Sequence, residues 1–330
     1  MKWNYEKAGV SIDKGNQWVE IVKKMVSEKA VNKNVVGSLG SFSGLYRINE
    51  NQYLSACCDG VGTKLEVARL AECYEGLGQD LVAMNVNDLV TCGAKPLFFL
   101  DYIACGKLNT PVMSRIMQGI VGACGECDCA LLGGETAEMP DVYPEDGFDL
   151  AGFSVGIVES SSLITGENIT TGDLVMGIRS SGLHSNGFTL VRKTLLGEDP
   201  LSRLMEVPEK IGIPLWKALL EPTRLYVRQV LAAIGTGRVK GMAHITGGGL
   251  EENIARIIPE GHSVNIDYNL WERPPVFELL KAGGIDESEM RRVFNLGIGF
   301  VFIVSENDAG ELAGILEGFG ESPVIIGKVL

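Results

Sequence analysis

Basic charge is scarce in this chain. Lysine plus arginine number 29 against 42 aspartate plus glutamate, a net charge of −13. Nucleic-acid binders carry a basic face, so this balance argues against that class. Any phosphorylated ligand must be held by local devices: backbone N–H groups, a few lysines or arginines, or a metal ion. Long apolar runs are missing too. None reaches the ~18 residues of a membrane-spanning helix, so no membrane association is expected. Neither G-x-x-x-x-G-K-[ST] nor G-x-G-x-x-G occurs, which excludes the P-loop and dinucleotide-fold solutions to nucleotide binding. Cysteine is absent outside residues 57–129, where all eight fall. The start, Met1-Lys2-Trp3-Asn4-Tyr5-Glu6, has no apolar signal core. Free thiols in a cytoplasmic protein are the expectation. Cys124, Cys127 and Cys129 form C-x-x-C-x-C, but no second pair completes a four-ligand zinc site, so buried small hydrophobes are the simpler reading.

What is present is an ordinary globular composition, 45% hydrophobic and 22% charged over 330 residues. That length predicts two domains. Apolar periodicity predicts strands at Tyr53–Cys58, Leu97–Ala104, Cys129–Leu132 and Leu150–Val158, with helices at Thr63–Cys73, Asp80–Cys92 and Thr110 to about Cys124. Thr110-Pro111 reads as an N-cap followed by a first-turn proline. Val36 to Gly44 is rich in glycine and serine and reads as a mobile loop. The polar stretch Glu159–Gly172 marks a boundary, giving domains of 1–165 and 166–330. The second half predicts a strand at Asp173–Arg179, a helix from about Asn186 and a long helical stretch Pro214–Ile234 containing Pro222. It continues with a strand at Val239–Ile245, a helix at Gly249–Ile258 and strands at Ser263–Tyr268 and Pro323–Leu330. Mixed strands and helices in both halves give an α/β class of the α+β type.

Gly152-Phe153-Ser154-Val155-Gly156 fits the G-x-S-x-G nucleophile pattern, but that pattern needs a strand, a sharp turn and a helix. Here an apolar strand runs straight through, so packed small residues are the reading. The acids are more informative. Asp59 ends a strand in Cys58-Asp59-Gly60-Val61-Gly62-Thr63-Lys64, and Asp88 lies in a polar patch of an apolar helix. Asp101 interrupts a buried strand, and Glu135 and Glu138 follow Gly133-Gly134. Singly, Asp59 reads as a helix cap and Asp88 as half of a salt bridge. As a set, acids at glycine-lined element ends with few bases nearby point to magnesium. Ser180-Ser181-Gly182-Leu183-His184-Ser185-Asn186-Gly187 and Thr246-Gly247-Gly248-Gly249 each precede a helix, as anion sites do, and two of the three histidines, His184 and His244, stand beside them.

Together these strings resemble the aminoimidazole ribonucleotide synthetase family, the phosphoribosylformylglycinamidine cyclo-ligases. The resemblance begins at Tyr5-Glu6-Lys7-Ala8-Gly9-Val10 and runs through Asp59–Leu65, Asp80–Leu89, Pro96–Tyr102, Gly133–Pro140, Ser180–Arg192, Pro222-Thr223-Arg224 and Ala243–Leu250. It implies ATP-driven cyclisation of formylglycinamidine ribonucleotide through a phosphorylated amide, with ATP and Mg2+ as cofactors. It also implies a homodimer whose N-terminal sheets pair, beside a C-terminal mixed α/β domain. By the same resemblance Asp59 and Asp88 hold metal and phosphates. Gly60, Gly62, Thr63 and Lys64 contact the nucleotide, and Gly133, Gly134 and Glu135 line the same cleft. Lys23 matches a lysine near the nucleotide. Ser180, Ser181, His184, Asn186, Thr246, Gly247 and Gly248 face the ribonucleotide, with His184 moving a proton. The rival readings are thiamin phosphate kinase, which would not carry the Ser-Ser-Gly-Leu-His-Ser-Asn-Gly string, and a non-catalytic nucleotide sensor, which would not keep Asp59, Asp88 and Glu135.

Overall fold

Residues 3–28, 32–37 and 39–330 are described by a computed structural model; Ser38, inside the expected loop, lies outside them. The described residues form two sheets in sequence order. The first contains β1 (Val35–Val36), β2 (Gly44–Arg47), β3 (Gln52–Gly60), β4 (Lys95–Cys105), β5 (Ala130–Glu138) and β6 (Phe148–Glu159), ordered β1-β2-β3-β6-β4-β5. Its neighbours are antiparallel except for the parallel pair β4–β5. The second contains β7 (Leu174–Arg179), β8 (Val239–His244), β9 (Val264–Ile266), β10 (Ile298–Val304) and β11 (Val324–Val329), ordered β8-β10-β7-β11-β9 and antiparallel throughout. The class is mixed α/β, as expected. Every residue of β10 is buried, so it forms the spine of the second core.

Four helices belong to this half of the described chain, α1 (Ile12–Ser27), α2 (Lys64–Ala71), α3 (Leu77–Val90) and α4 (Thr110–Glu126), and of these α3 and α4 pack on the first sheet. Asn109 rather than Thr110 caps α4, its side chain accepting from the Val112 N–H. Helix α3 is buried along nearly its whole length and packs closely on α4. Close approach requires Gly78, where an added Cβ would sit 2.2 Å from the Ile116 carbonyl oxygen. By contrast, α1 has no buried residue.

Several further expectations fail. The stretch Pro214–Ile234 is not one helix. It is a helix Leu215–Leu220, a non-helical segment at 221–226 and a helix Val227–Ile234. Pro222 has no N–H to give and pushes its predecessor out of helical conformation. Strand β5 does not stop at Leu132. It runs to Glu138 because β4 pairs with it as far as Cys105↔Glu138, so Gly133, Gly134 and Glu135 lie in a strand. The helix expected from Asn186 is only the turn α5 (Phe188–Val191), continued as a π-turn through Leu196. The expected loop also ends in structure, with Val36 in β1 and Gly44 in β2, and Phe42 and Ser43 are buried.

Candidate functional site

Asp59 stands near the end of β3, opposite Gly152 of β6, which is also opposite Asp101 of β4. Gly152 is needed here: a Cβ would lie 2.4 Å from the Phe99 ring and 2.6 Å from Asn85 Nδ2. The space lets Asn85, from α3, clamp the Asp59 backbone. Its Oδ1 accepts from the Asp59 N–H (3.0 Å), and its Nδ2 donates to the Asp59 carbonyl (3.2 Å) and to the Leu81 carbonyl (2.9 Å). One turn after Asn85, Asp88 accepts from Nδ1 of His244 at 2.8 Å. His244 ends β8 and is fully buried, so this contact joins α3 to the second sheet. Burial raises the Asp59 carboxyl to a pKa of about 6, and the charge of Asp88 adds to the rise. The Gly60 N–H, donating to Asp59 Oδ1 at 2.7 Å, and His244 oppose it.

A cleft of about 580 Å³ opens over this corner. Its walls are the turn Cys58–Thr63, Asp149–Ala151 of β6, Ser185–Thr189 and Thr246, with Tyr5 and Met84. Thr63 and Thr189 touch hydroxyl to hydroxyl across it at 2.9 Å. Asn186 turns a buried Nδ2 toward no partner. No lysine, arginine or histidine is among the described residues that line it. Wider grooves, of about 880 and 670 Å³, lie along Glu138–Glu145 and beside the start of α4. Of the candidate acids only Glu138 reaches either groove, and no other expected site residue does, so chemistry rather than size selects the smaller cleft.

The cleft therefore gathers Asp59, Gly60, Gly62, Thr63, Asn186 and Thr246, with Asp88 behind Asp59. Gly247 borders it: a Cβ there would be 3.6 Å from Asn186 Oδ1. Gly247 and Gly249 each give a carbonyl to Asn253 Nδ2, which fixes the loop, and Gly248 takes φ +100° at its tip.

The other expected residues lie elsewhere. Lys64 is fully buried, 2.8 Å from Asp80 Oδ2 and donating to the Glu221 carbonyl at 2.8 Å. Its ammonium serves an internal ion pair. Lys23 lies on α1, paired with Glu20 at 2.7 Å near Gly40. Gly133, Gly134 and Glu135 sit on β5, three strands from β3 or roughly 14 Å at ordinary strand spacing. Ser180 bonds the Gly182 carbonyl and Asn295, and Ser181 bonds the Pro222 carbonyl. His184 is enclosed. Its Nε2 accepts from the Ser181 N–H, its Nδ1 has no partner, and burial holds its pKa well below the ordinary value. It stays neutral where a free imidazole would titrate, which removes the reason for choosing it to move a proton.

Ser154 is buried inside β6 with its hydroxyl 3.1 Å from Cys57 Sγ, not on a turn. Cys124, Cys127 and Cys129 are buried free thiols. They pack the end of α4, where the Cys129 N–H donates to the Cys124 carbonyl and Asp128 takes φ +51°. The Asn85 clamp was not legible in the sequence beyond a polar patch on an apolar helix. The His244 contact was half visible, since that histidine stood beside a glycine loop.

Residues 40–158 match the family described as AIR synthase related protein, N-terminal domain, and residues 170–330 its C-terminal domain. A phosphoribosylformylglycinamidine cyclo-ligase of Carboxydothermus hydrogenoformans is 48% identical over 330 residues, spanning 98% of this chain and 95% of that protein. The chain belongs to this cyclo-ligase family. Among solved structures, thiamine-monophosphate kinase from Stenotrophomonas maltophilia superposes with a TM-score of 0.63 at 16% identity, over 94% of this chain and 92% of that one. A Thermotoga maritima protein complexed with ADP gives 0.59 at 13%, over 95% and 48%. At such identities the likeness concerns the fold alone, so kinship with the cyclo-ligases rests on the sequence match. No helix among the described residues is long and apolar enough to cross a membrane.

Proposed function

We propose that the protein closes the imidazole ring of a purine precursor. ATP phosphorylates the formyl amide oxygen of formylglycinamidine ribonucleotide and leaves as ADP. An amidine nitrogen attacks the activated carbon and loses a proton. Phosphate departs and 5-aminoimidazole ribonucleotide remains. An amide oxygen is a poor leaving group and its phosphate ester a good one, so positioning and charge neutralisation carry such a transfer.

The observation that carries this reading is the cleft at Asp59, seen against the full-length cyclo-ligase kinship. In our reading the turn Gly60–Thr63 offers backbone N–H groups to the nucleotide phosphates, and Asn186 and Thr246 face the ribonucleotide. Two acids close enough for one to raise the other suit a hard cation that keeps water and takes ligand phosphates, as Mg2+ does. No three described His, Cys, Asp or Glu side chains are grouped to hold a metal alone. Asp59 and Asp88 would thus share the ion with the nucleotide. When bound, it offsets phosphate charge.

Residues 1–165 form the nucleotide half in this reading and 166–330 the ribonucleotide half. The protein acts in the cytoplasm as a homodimer. Dimerisation would cover the edge strand β5 and the exposed Leu132, Tyr102 and Phe153 of the first sheet. The test is a coupled assay with the ribonucleotide amidine, ATP and magnesium, following ADP and aminoimidazole together. Equal yields support the reading. A folded, ATP-binding protein that makes no product would refute it and bring thiamin phosphate phosphorylation or nucleotide sensing forward.

A further inference from the structure

The segment between the helices Leu215–Leu220 and Val227–Ile234 lies outside the cleft, yet it holds both sides of it. Thr223 is fully buried at its centre. Asp80 Oδ1 accepts from the Thr223 N–H and from its hydroxyl, both at 2.7 Å. The same carboxylate pairs with Lys64, the residue directly after the Gly60–Thr63 turn, and Lys64 also reaches the Glu221 carbonyl. Gln79 Nε2 donates to the Thr223 carbonyl at 2.8 Å. From the opposite wall, the Ser185 hydroxyl lies 3.0 Å from Thr223 Oγ1, and the Ser181 hydroxyl donates to the Pro222 carbonyl at 2.6 Å. Since the Thr223 proton goes to a carboxylate, the Ser185 hydroxyl is the donor in that pair. One hydroxyl therefore relays between the Ser185–Thr189 wall and, through Asp80 and Lys64, the Cys58–Thr63 wall.

We propose that Thr223 is a positioning residue whose hydroxyl fixes the spacing of the two cleft walls, and so the alignment of nucleotide with acceptor. This rests on the function proposed above. Each wall binds its own ligand without the relay; what the relay sets is their mutual register. A phosphoryl group crossing between two ligands is sensitive to that register, and a misplacement of about 1 Å costs up to about a hundredfold.

The test is Thr223→Val, which keeps the shape and removes the relay. The kcat should fall between about tenfold and a hundredfold, while KM for ATP and for the amidine each change less than about twofold. Thr223→Ser should restore kcat. A folded valine variant with near-normal kcat, or one in which both KM values rise at constant kcat, would overturn the proposal. Should valine prevent folding, Thr223→Cys, a weak donor of similar size, is read by the same two results. Amide hydrogen exchange is measured alongside in the full chain, where activity plays no part. Residues 58–64 and 181–188 should exchange faster together in the variant. A change confined to 221–226 would refute the joint even if the wild-type protein made no aminoimidazole, the result that would refute the function instead.

Discussion

Replacing Lys64 by methionine separates two accounts of that residue. The side chains of Lys64 and Asp80 are fully buried, with the ammonium 2.8 Å from the carboxylate. Methionine preserves the aliphatic stem and deletes the charge. Asp80 would then keep only the N–H and hydroxyl of Thr223. Breaking a buried pair from one side costs about 3–5 kcal/mol, because a charge is left uncompensated. Unfolding entropy of about 2.1 cal/mol/K per residue makes a degree of Tm worth about 0.7 kcal/mol for this chain if both units unfold together. The expected loss is thus about 4–7 °C, read by circular dichroism melting. Adding Asp80→Asn to Lys64→Met should recover more than half of it, since the stranded charge is gone. Nucleotide affinity, by calorimetric titration, should change far less than stability. A Tm within about 1 °C of wild type with tenfold weaker ATP binding would refute the internal pair and return Lys64 to the phosphates.

Four other outcomes follow from the corner at Asp59. Asp88→Asn should abolish ATP turnover while the Tm, by calorimetry, falls less than about 3 °C, because an amide can still accept from His244; near-normal turnover would remove Asp88 from the metal site. The folded Asp59 carboxyl, raised to about 6, binds a proton more readily than in the unfolded chain, so between about pH 4 and 6 its contribution to stability decreases as pH rises. Asp59→Asn should flatten that part of a Tm–pH curve. Stabilisation of the wild-type protein by magnesium should be larger at pH 7.5 than at pH 5, and equal shifts at both would exclude Asp59 as a ligand. Gly152→Ala should lower the Tm by about 1–4 °C and weaken nucleotide binding, since its methyl would displace Asn85 from Asp59; unchanged binding in a melting and titration pair would show the clamp to be dispensable.

Local pattern carried much of this fold into view. The end of β3 at Asp59-Gly60, the apolar run of β4 and the helix α3 were all legible from periodicity and turn residues. The polar patch on α3 was legible as unusual, but its meaning was not. Asp80 is answered by Thr223, 143 positions away, and Asp88 by His244, 156 positions away. No window on the sequence contains both partners. Lys64 followed a glycine turn and looked like a phosphate ligand, yet helix α2 turns it inward to the charge that only the folded chain supplies. His184 in the sequence suggests the pKa of a free imidazole, which burial lowers in the folded chain. Glycines read as turns when nothing in the local sequence reveals the neighbouring β4, so the pattern alone ends β5 early.

On the function proposed above, the acid-lined cleft would also sort nucleotides by ionic form. Asp59 and Asp149 line it, Asp88 lies behind, and the described lining offers no cationic side chain to answer them. Bare ATP would bring more negative charge to a wall already negative, whereas its magnesium complex arrives largely neutralised. Entry would thereby be tied to the cell's free magnesium rather than to total ATP. When magnesium runs low, uncomplexed nucleotide would then be a poor competitor for the site, and ring closure would slow through scarcity of the complex instead of through blockade.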